Sequence, residues 1–290
     1  MNRVTLQEMG NAHDSPGRET LLEIAGLQIS GPLSEEAPSR TVLVHGVSLR
    51  LRSGETLGLV GESGSGKTLT ALAVMGLLPP GVRVEAGTVR LGDRDLLGLE
   101  AREARRVRGR EIGMVFQEAV NALDPLLPVG RQIGDALRRH GRGESWWESA
   151  VERLRELGLE DPERVAQMRP HELSGGMAQR ALIALTLACE PRILICDEPT
   201  RGLDAATAVS VLDALQRARS PAQAQLLISH DLDAVHHVAE RVAVMHAGKI
   251  VEELDLSSGR DLARDAQHPY TLALLAARPS ATPDGGEAAP

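Results

Sequence analysis

Residues Gly61–Thr68 read GESGSGKT, and the fold turns on what this octapeptide is. It matches the pattern G-x-x-x-x-G-K-[ST], follows the apolar run TLGLV at Thr56–Val60, and opens the helical run KTLTALAVMGLL at Lys67–Leu78. A flexible Gly/Ser turn has no need of strand, lysine, hydroxyl and helix together, whereas a phosphate-cradling P-loop needs all four. Backbone N–H groups of such a turn point at a polyphosphate, and the positive end of the helix dipole favours its charge. Gly61, Glu62, Ser63, Gly64, Ser65 and Gly66 then form the cradle. Lys67 pairs with the β- and γ-phosphates of a nucleoside triphosphate, and the Thr68 hydroxyl ligates Mg2+.

A P-loop calls for acids on a neighbouring strand. RILICDEPT, Arg192–Thr200, ends an apolar strand in Asp197 and Glu198, at the carboxyl edge where α/β sheets bind ligands. Asp197 fits the metal-holding acid, and Glu198 the general base that orients and polarises water. LLISHD, Leu226–Asp231, brings His230 to the same edge, where a ring N–H can contact the γ-phosphate. His236, His237 and His246 read as structural or surface residues. A second glycine-rich turn, LSGGMAQR at Leu173–Arg180, opens another helix. An ordinary N-cap at Ser174 explains that helix start, but not why the chain carries two such turns.

Around these motifs the chain divides. LLEIAGLQI, TVLVHGVSLRL, TLGLV and TVRLG read as strands, making a strand-rich start. From about Asp124 to Gln167 the period is helical, in VGRQIGDALRRH and WWESAVERLRELG, with a glycine-containing break between them. After Ser174 come helix MAQRALIALTLA, strand RILIC, helix AATAVSVLDALQRA, strand QLLIS, helix DAVHHVAE and a strand RVAVMHAGKIVE. Alternating βα units with short, wholly apolar strands imply a parallel sheet covered on both faces.

Bulk properties narrow the classes. At 290 residues and 42% hydrophobic, the chain can bury a large core without disulfides. Cys189 and Cys196 lie in an apolar stretch without zinc-site spacing and read as small core residues. A net charge of −8 argues against a general nucleic-acid binder. The N-terminal stretch lacks the apolar core of a signal peptide, and no apolar run reaches spanning length. The expectation is a cytosolic protein whose link to a membrane runs through partners. Residues 1–20 and 279–290 are expected to be disordered tails, flanking one domain over 21–278.

From Leu21 to Leu275 the chain resembles the nucleotide-binding subunit of an ATP-binding cassette (ABC) transporter. GESGSGKT is similar to that family's P-loop, FQ with Gln117 to its Q-loop, LSGGMAQR to its signature, and ICDE to its acidic strand end. GLD with Asp204 is similar to its D-loop, and SHD to its switch histidine. The resemblance implies an α/β P-loop NTPase core of ABC type, with a mixed, mainly parallel sheet, an N-terminal antiparallel β region and a helical insert subdomain at about 118–178. It implies Mg2+-dependent ATP hydrolysis, with Lys67, Gln117, Glu198 and His230 catalytic and Thr68, Gln117 and Asp197 at the metal. Two such subunits, identical or paralogous, stack head to tail, so that Ser174, Gly175 and Gly176 of one cover the ATP on the other's P-loop, and Asp204 of the D-loop is counted with them among the ATP-binding residues. That would explain the second glycine turn as a half-site acting in trans. Gln117 would report the state of the γ-phosphate to a groove that receives a membrane subunit, and Trp146 and Trp147 lie in the insert beside it: one expected to pack, the other to face a partner.

QHPYTLALLAARP at Gln267–Pro279, FQEAVNALDPLLPVG and PHELSGGMAQR resemble the peptide and nickel importer branch. The implied partners are two transmembrane permease subunits and an extracytoplasmic substrate-binding protein, with cargo of peptides, nickel or metal chelates. The expected location is the cytoplasmic face of the cell membrane, held peripherally. The other class considered is a non-transport ABC ATPase that regulates or scaffolds another complex. No cysteine follows Cys196, so the iron–sulfur cluster of some branch members is not expected. One departure stands out: Gly31 lies where related cassettes stack adenine on an aromatic ring, and Phe116, Trp146, Trp147 and Tyr270 all follow the P-loop. Arg40 and His45 are the candidate substitutes.

Overall fold

The computed structural model describes residues 18–32, 40–141, 144–257 and 259–277. The expected tails fall almost wholly outside these residues. The strands are β1 (Thr20–Pro32), β2 (Arg40–Arg52), β3 (Thr56–Val60), β4 (Arg83–Leu91), β5 (Arg94–Asp95), β6 (Ile112–Val115), β7 (Ile193–Asp197), β8 (Ala224–Ser229), β9 (Arg241–His246) and β10 (Lys249–Asp255). The helices are α1 (Lys67–Met75), α2 (Ala101–Val107), α3 (Ala119–Ala122), α4 (Val129–Arg139), α5 (Trp146–Glu156), α6 (Pro162–Gln167), α7 (Gly175–Leu187), α8 (Ala205–Ala218), α9 (Leu232–Val238), α10 (Leu262–Asp265) and α11 (Pro269–Ala276).

Two sheets form. The long amphipathic strands at the start make an antiparallel sheet in the order β2-β1-β4-β5. The short apolar strands make a six-stranded sheet in the order β10-β9-β3-β8-β7-β6, parallel except for β10 at its edge. The expected α/β core with an antiparallel β region is therefore present. Two local differences have clear causes. RVAVMHAGKIVE is two strands and not one, because Ala247 and Gly248 take φ of 45° and 78° and turn the chain back on itself. The edge strand β6 was not anticipated, being only four residues long and lying directly before the Q-loop motif.

Strand residues alternate in direction, and the six-stranded sheet thereby separates two cores. Val60, Leu194, Cys196, Leu227, Val242 and Val244 point into one, together with buried residues of α4–α9. Leu57, Leu59, Ile193, Ile195, Leu226, Ile228, Ala243 and Met245 point into the other, filled by β1, β2 and α1. The helices between Ala119 and Gln167 are continuous with the first core through α7, whose Ala181, Leu182, Ala184 and Leu187 are buried within it. Both cysteines are buried and form no disulfide among the described residues, and burial pushes the Cys196 thiol far above its ordinary range.

A buried ion pair ties the two sheets at the end away from the glycine turn. Arg241 Nε donates to Glu55 Oε1 at 2.9 Å, while its Nη2 donates to the Arg50 carbonyl of β2. Burial raises the Glu55 carboxyl, and the nearby Arg241 and Arg52 cations oppose that rise. Removing one partner of such a pair strands the other. Arg241→Ala is expected to lower stability to urea by about 3–5 kcal/mol, and Arg241→Ala with Glu55→Gln by less; equal losses in both variants would refute an electrostatic origin.

Candidate functional site

The glycine turn is shaped by close approach. Gly61 has φ of 152°, and a Cβ there would lie 2.0 Å from the Met245 carbonyl oxygen at the end of β9. Gly66, the N-cap of α1, has φ of 107°, and a Cβ there would meet Met245 Cε at 2.7 Å. Only glycine fits both positions. Ser65 is fixed from the β9–β10 turn, its carbonyl accepting from Gly248 N–H at 3.0 Å. Inside the turn Lys67 Nζ donates to the carbonyls of Gly61 at 2.7 Å and Glu62 at 2.9 Å. Lys67 is 6% exposed; burial lowers its pKa, while the carboxylates of Glu198, Asp197 and Glu62 pull the other way.

Pairing within the sheet decides what stands beside the turn. Val60 pairs with Ser229 of β8, and Ile228 of β8 pairs with Asp197 of β7, so three strand ends emerge side by side. Asp197 is buried, and Thr68 Oγ1 donates to its Oδ1 at 3.2 Å. Burial raises the Asp197 pKa, the Thr68 bond lowers it, and the charge of Glu198 raises it again. Glu198 takes a left-handed φ of 50°, with its N–H on the Ile228 carbonyl at 2.9 Å. That conformation is costly for a residue with a Cβ and occurs where a side chain must be aimed. The carboxylate meets His230, with Glu198 Oε2 2.7 Å from Nδ1. Thr68, Asp197, Glu198 and His230 thus form two hydrogen-bonded pairs beside the lysine.

The remaining sequence-selected residues fall into two further groups. Gln117 lies against the Arg201 guanidinium, and the amide orientation that suits this cation turns its oxygen to accept from Nε at 3.2 Å and from Nη1. Arg201 was not singled out from sequence; a cation set between the strand-end acids and GLD was the available signal. The second glycine turn packs on the D-loop segment of its own chain. Ser174 caps α7, accepting from Met177 N–H at 3.3 Å. Asp204 caps α8, accepting from Thr207 N–H at 3.0 Å and Thr207 Oγ1 at 2.6 Å. A Cβ on Gly176 would approach the Thr207 methyl to 2.6 Å, and one on Gly175 would lie 3.5 Å from Leu203 Cδ2. Any larger residue at position 176 would therefore have to displace the Thr207 side chain.

Gly31 sits in β1 opposite Thr41, and a Cβ there would meet Leu43 Cδ1 at 2.8 Å. Arg40 is engaged with the Ser30 hydroxyl and carbonyl at 2.9 and 3.0 Å, whereas His45 is exposed. Trp146 and Trp147 contact edge to face at 5.8 Å, with the Arg138 guanidinium over Trp146 at 4.7 Å. Both are partly buried, and with Leu127, Pro128 and Arg131 they line an open groove near Leu126, which is 77% exposed. Sequence reading also missed Tyr270, whose hydroxyl accepts from Glu62 N–H of the glycine turn at 3.0 Å.

Fold and site together define a P-loop ATPase with its acid–histidine pair on adjacent strand ends. The model of the family described as ABC transporter matches residues 44–201. A putative peptide import ATP-binding protein of Brucella melitensis is 42% identical over 272 residues, covering 90% of this chain and 78% of the relative. The dipeptide transport ATP-binding protein DppD of Haemophilus influenzae is 41% identical over 236 residues, covering 80% and 71%. The oligopeptide transport ATP-binding protein OppD of Bacillus subtilis is 40% identical over 271 residues, covering 92% and 74%. Among solved structures, a dimeric ATP-binding cassette in a post-hydrolysis state bound to ADP and Pi superposes with a TM-score of 0.70 at 26% identity, covering 81% of this chain and 98% of that one. The chain belongs to the ABC transporter family, as one of its nucleotide-binding, ATP-hydrolysing subunits.

Because Gly61 abuts a backbone carbonyl, Gly61→Ala is expected to weaken MgADP binding at least about tenfold through left-handed strain and displacement of the turn. Titration of a fluorescent ADP analogue measures this, and unchanged affinity would contradict the close-packed reading of the turn.

Proposed function

We propose that this ATP-hydrolysing subunit works with Mg2+ and powers the import of peptides. The observation that carries the chemistry is the meeting of Lys67, the Thr68–Asp197 pair and the Glu198–His230 pair at neighbouring strand ends. The cradle of Gly61–Thr68 receives the phosphates of ATP. Lys67, which in this state satisfies itself on two backbone carbonyls, exchanges them for β- and γ-phosphate oxygens. Thr68 and Asp197 offer hard oxygen donors that would hold Mg2+, with the Gln117 amide oxygen as a further donor. When bound, the ion neutralises charge on the phosphate oxygens.

Glu198 takes the proton of the attacking water as its oxygen bonds to the γ-phosphorus and the bond to ADP breaks. Nδ1–H of His230 donates to the Glu198 carboxylate, fixing its aim and leaving the second carboxylate oxygen for the water. Ser174, Gly175 and Gly176 of a second subunit close over the γ-phosphate, with Asp204 at the junction. ATP then joins the two subunits, and hydrolysis removes the charge that joins them.

Peptides are favoured as cargo by the stated roles of the three relatives, which import or transport peptides; nickel and metal chelates have less support. The same relatives favour a transport subunit over a regulatory or scaffold ATPase. The partners are a second ATPase subunit, two permeases and an extracytoplasmic binding protein, and no nucleic acid. Among the described residues no helix is long and apolar enough to cross a membrane, so attachment at the cytoplasmic face runs through the permeases. The apolar groove beside Trp146 and Trp147 is the surface offered to them.

Glu198→Gln slows hydrolysis and is expected to shift from monomer to dimer when MgATP is added. Light scattering after gel filtration reads that mass, and adding Ser174→Arg should abolish the shift. A Glu198→Gln protein that dimerises equally well with Ser174→Arg would refute the trans half-site.

Base recognition should also be weak. Without a ring at Gly31 the site forgoes about 1–3 kcal/mol of base stacking, and Arg40 is already held by Ser30, leaving His45 as the available substitute. ATP and GTP are expected to bind with similar affinity in competition titrations; strong selection of ATP at low micromolar affinity would contradict this.

A further inference from the structure

The segment Gln267–Ala276 has no part in the chemistry described above, yet it reaches the glycine turn. Its helix α11 is anchored at its start by the Glu252 carboxylate, where Oε1 accepts from Gln267 N–H at 2.6 Å and His268 N–H at 3.2 Å. His268 caps the helix, its Nδ1 accepting from Tyr270 N–H at 3.2 Å. From that fixed base Tyr270 lays its ring on His246, with centroids 3.9 Å apart and planes tilted by 30°. His246 follows Met245, whose carbonyl abuts Gly61. The Tyr270 hydroxyl then accepts the Glu62 N–H at 3.0 Å.

We propose that Tyr270 is a positioning residue of the nucleotide site: by holding Glu62 N–H from outside the turn, it keeps the cradle formed and so sets nucleotide affinity. The physical case is a competition. In the structure residues 61 and 62 are held by Lys67 on their carbonyls, by the Ser65 N–H on the Glu62 carbonyl at 3.2 Å, and by Tyr270 on the Glu62 N–H, the one of these that comes from outside the turn. A phosphate draws Lys67 away from those carbonyls, while the tyrosine bond does not involve the lysine and survives. The turn therefore needs Tyr270 most when nucleotide is bound, which makes the coupling reciprocal: nucleotide should steady α11 as α11 steadies the cradle. The proposal rests on the reading of Gly61–Thr68 as the ATP site.

The test uses the full chain. Tyr270→Phe keeps the ring on His246 and removes only the hydroxyl. Its Kd for MgADP is expected to rise about three- to tenfold, the worth of one hydrogen bond. ATPase kcat at saturating MgATP should stay within about twofold, and the nucleotide-free melting temperature should fall only slightly, because Lys67 still holds the turn in that state. Leu272→Ser, on the exposed side of the same helix, should leave Kd unchanged. MgADP should slow hydrogen exchange of the α11 amides in the unmodified protein and less so in Tyr270→Phe. An unchanged Kd in Tyr270→Phe overturns the proposal, as does a rise matched by Leu272→Ser, since that is general loosening of the helix. Lys67→Ala separates the two levels: if it binds MgADP as the unmodified protein does, the site reading itself fails and the proposal falls with it.

Discussion

Everything functional in this chain depends on the register of one parallel strand. β3 pairs with β8 on one side and β9 on the other, and Val60 meets both Ser229 and Val244. Shifting β3 by one residue would exchange Leu57 and Leu59 for Gly58 and Val60 between the two cores, so burial fixes the register on both faces at once. Fixed there, β3 must release the chain directly against the Met245 carbonyl, where only a glycine can follow. The same register places His230 and Asp197 beside the turn without any side chain choosing its place. The hydrophobic effect supplies the positioning, and the polar side chains at the strand ends inherit it.

The site so positioned is electrostatically unfinished. Lys67 is buried deeply enough to lower its pKa, Asp197 deeply enough to raise its own, and Glu198 adds a further negative charge beside Asp197. The internal bonds that hold them, lysine to carbonyls and threonine to carboxylate, are those that a polyphosphate and a hard cation would replace under the proposed function. An aimed but strained Glu198 completes a pocket organised before its ligand arrives, which is how an enzyme places its electrostatic work ahead of the reaction. The second glycine turn carries an internal constraint too: Gly176 is small because Thr207 presses on it. The signature turn and the start of the D-loop helix α8 are therefore packed side by side, with Thr207 bonded in turn to Asp204.

Much of this was legible in the sequence because it is written in local pattern. P-loop, strand-end acids and SHD each pair an apolar run with a polar terminus, and a parallel sheet brings such termini to one edge whatever the strand order. The helix AATAVSVLDALQRA was read to its last residue, since Asp204 caps it and apolar spacing defines its buried face. What escaped was information carried by tertiary contact. The β9–β10 turn hides in one apolar run because Ala247, with φ of 45°, is not a residue that announces a turn. β6 is too short to show a period. Arg201 beside Gln117 and Tyr270 on the glycine turn join segments far apart in sequence, and no spacing rule links them.

Tyr270 shows why the last category matters for function. Of the chain's four aromatic side chains besides histidine, Tyr270 both packs against the core and sends its hydroxyl to the glycine turn. Its helix is held by a carboxylate on β10, its ring rests on the end of β9, and its hydroxyl grips the entry to the cradle. Those contacts run along the same edge that the register of β3 created. A segment beyond the catalytic core has thus been brought under the control of the geometry that makes the core work. A hydrogen bond to a backbone N–H asks nothing of the glycine turn's own side chains. Such a tether can be added to a P-loop, or removed from one, without altering a residue that touches phosphate, and this allows nucleotide affinity to be adjusted separately from catalysis.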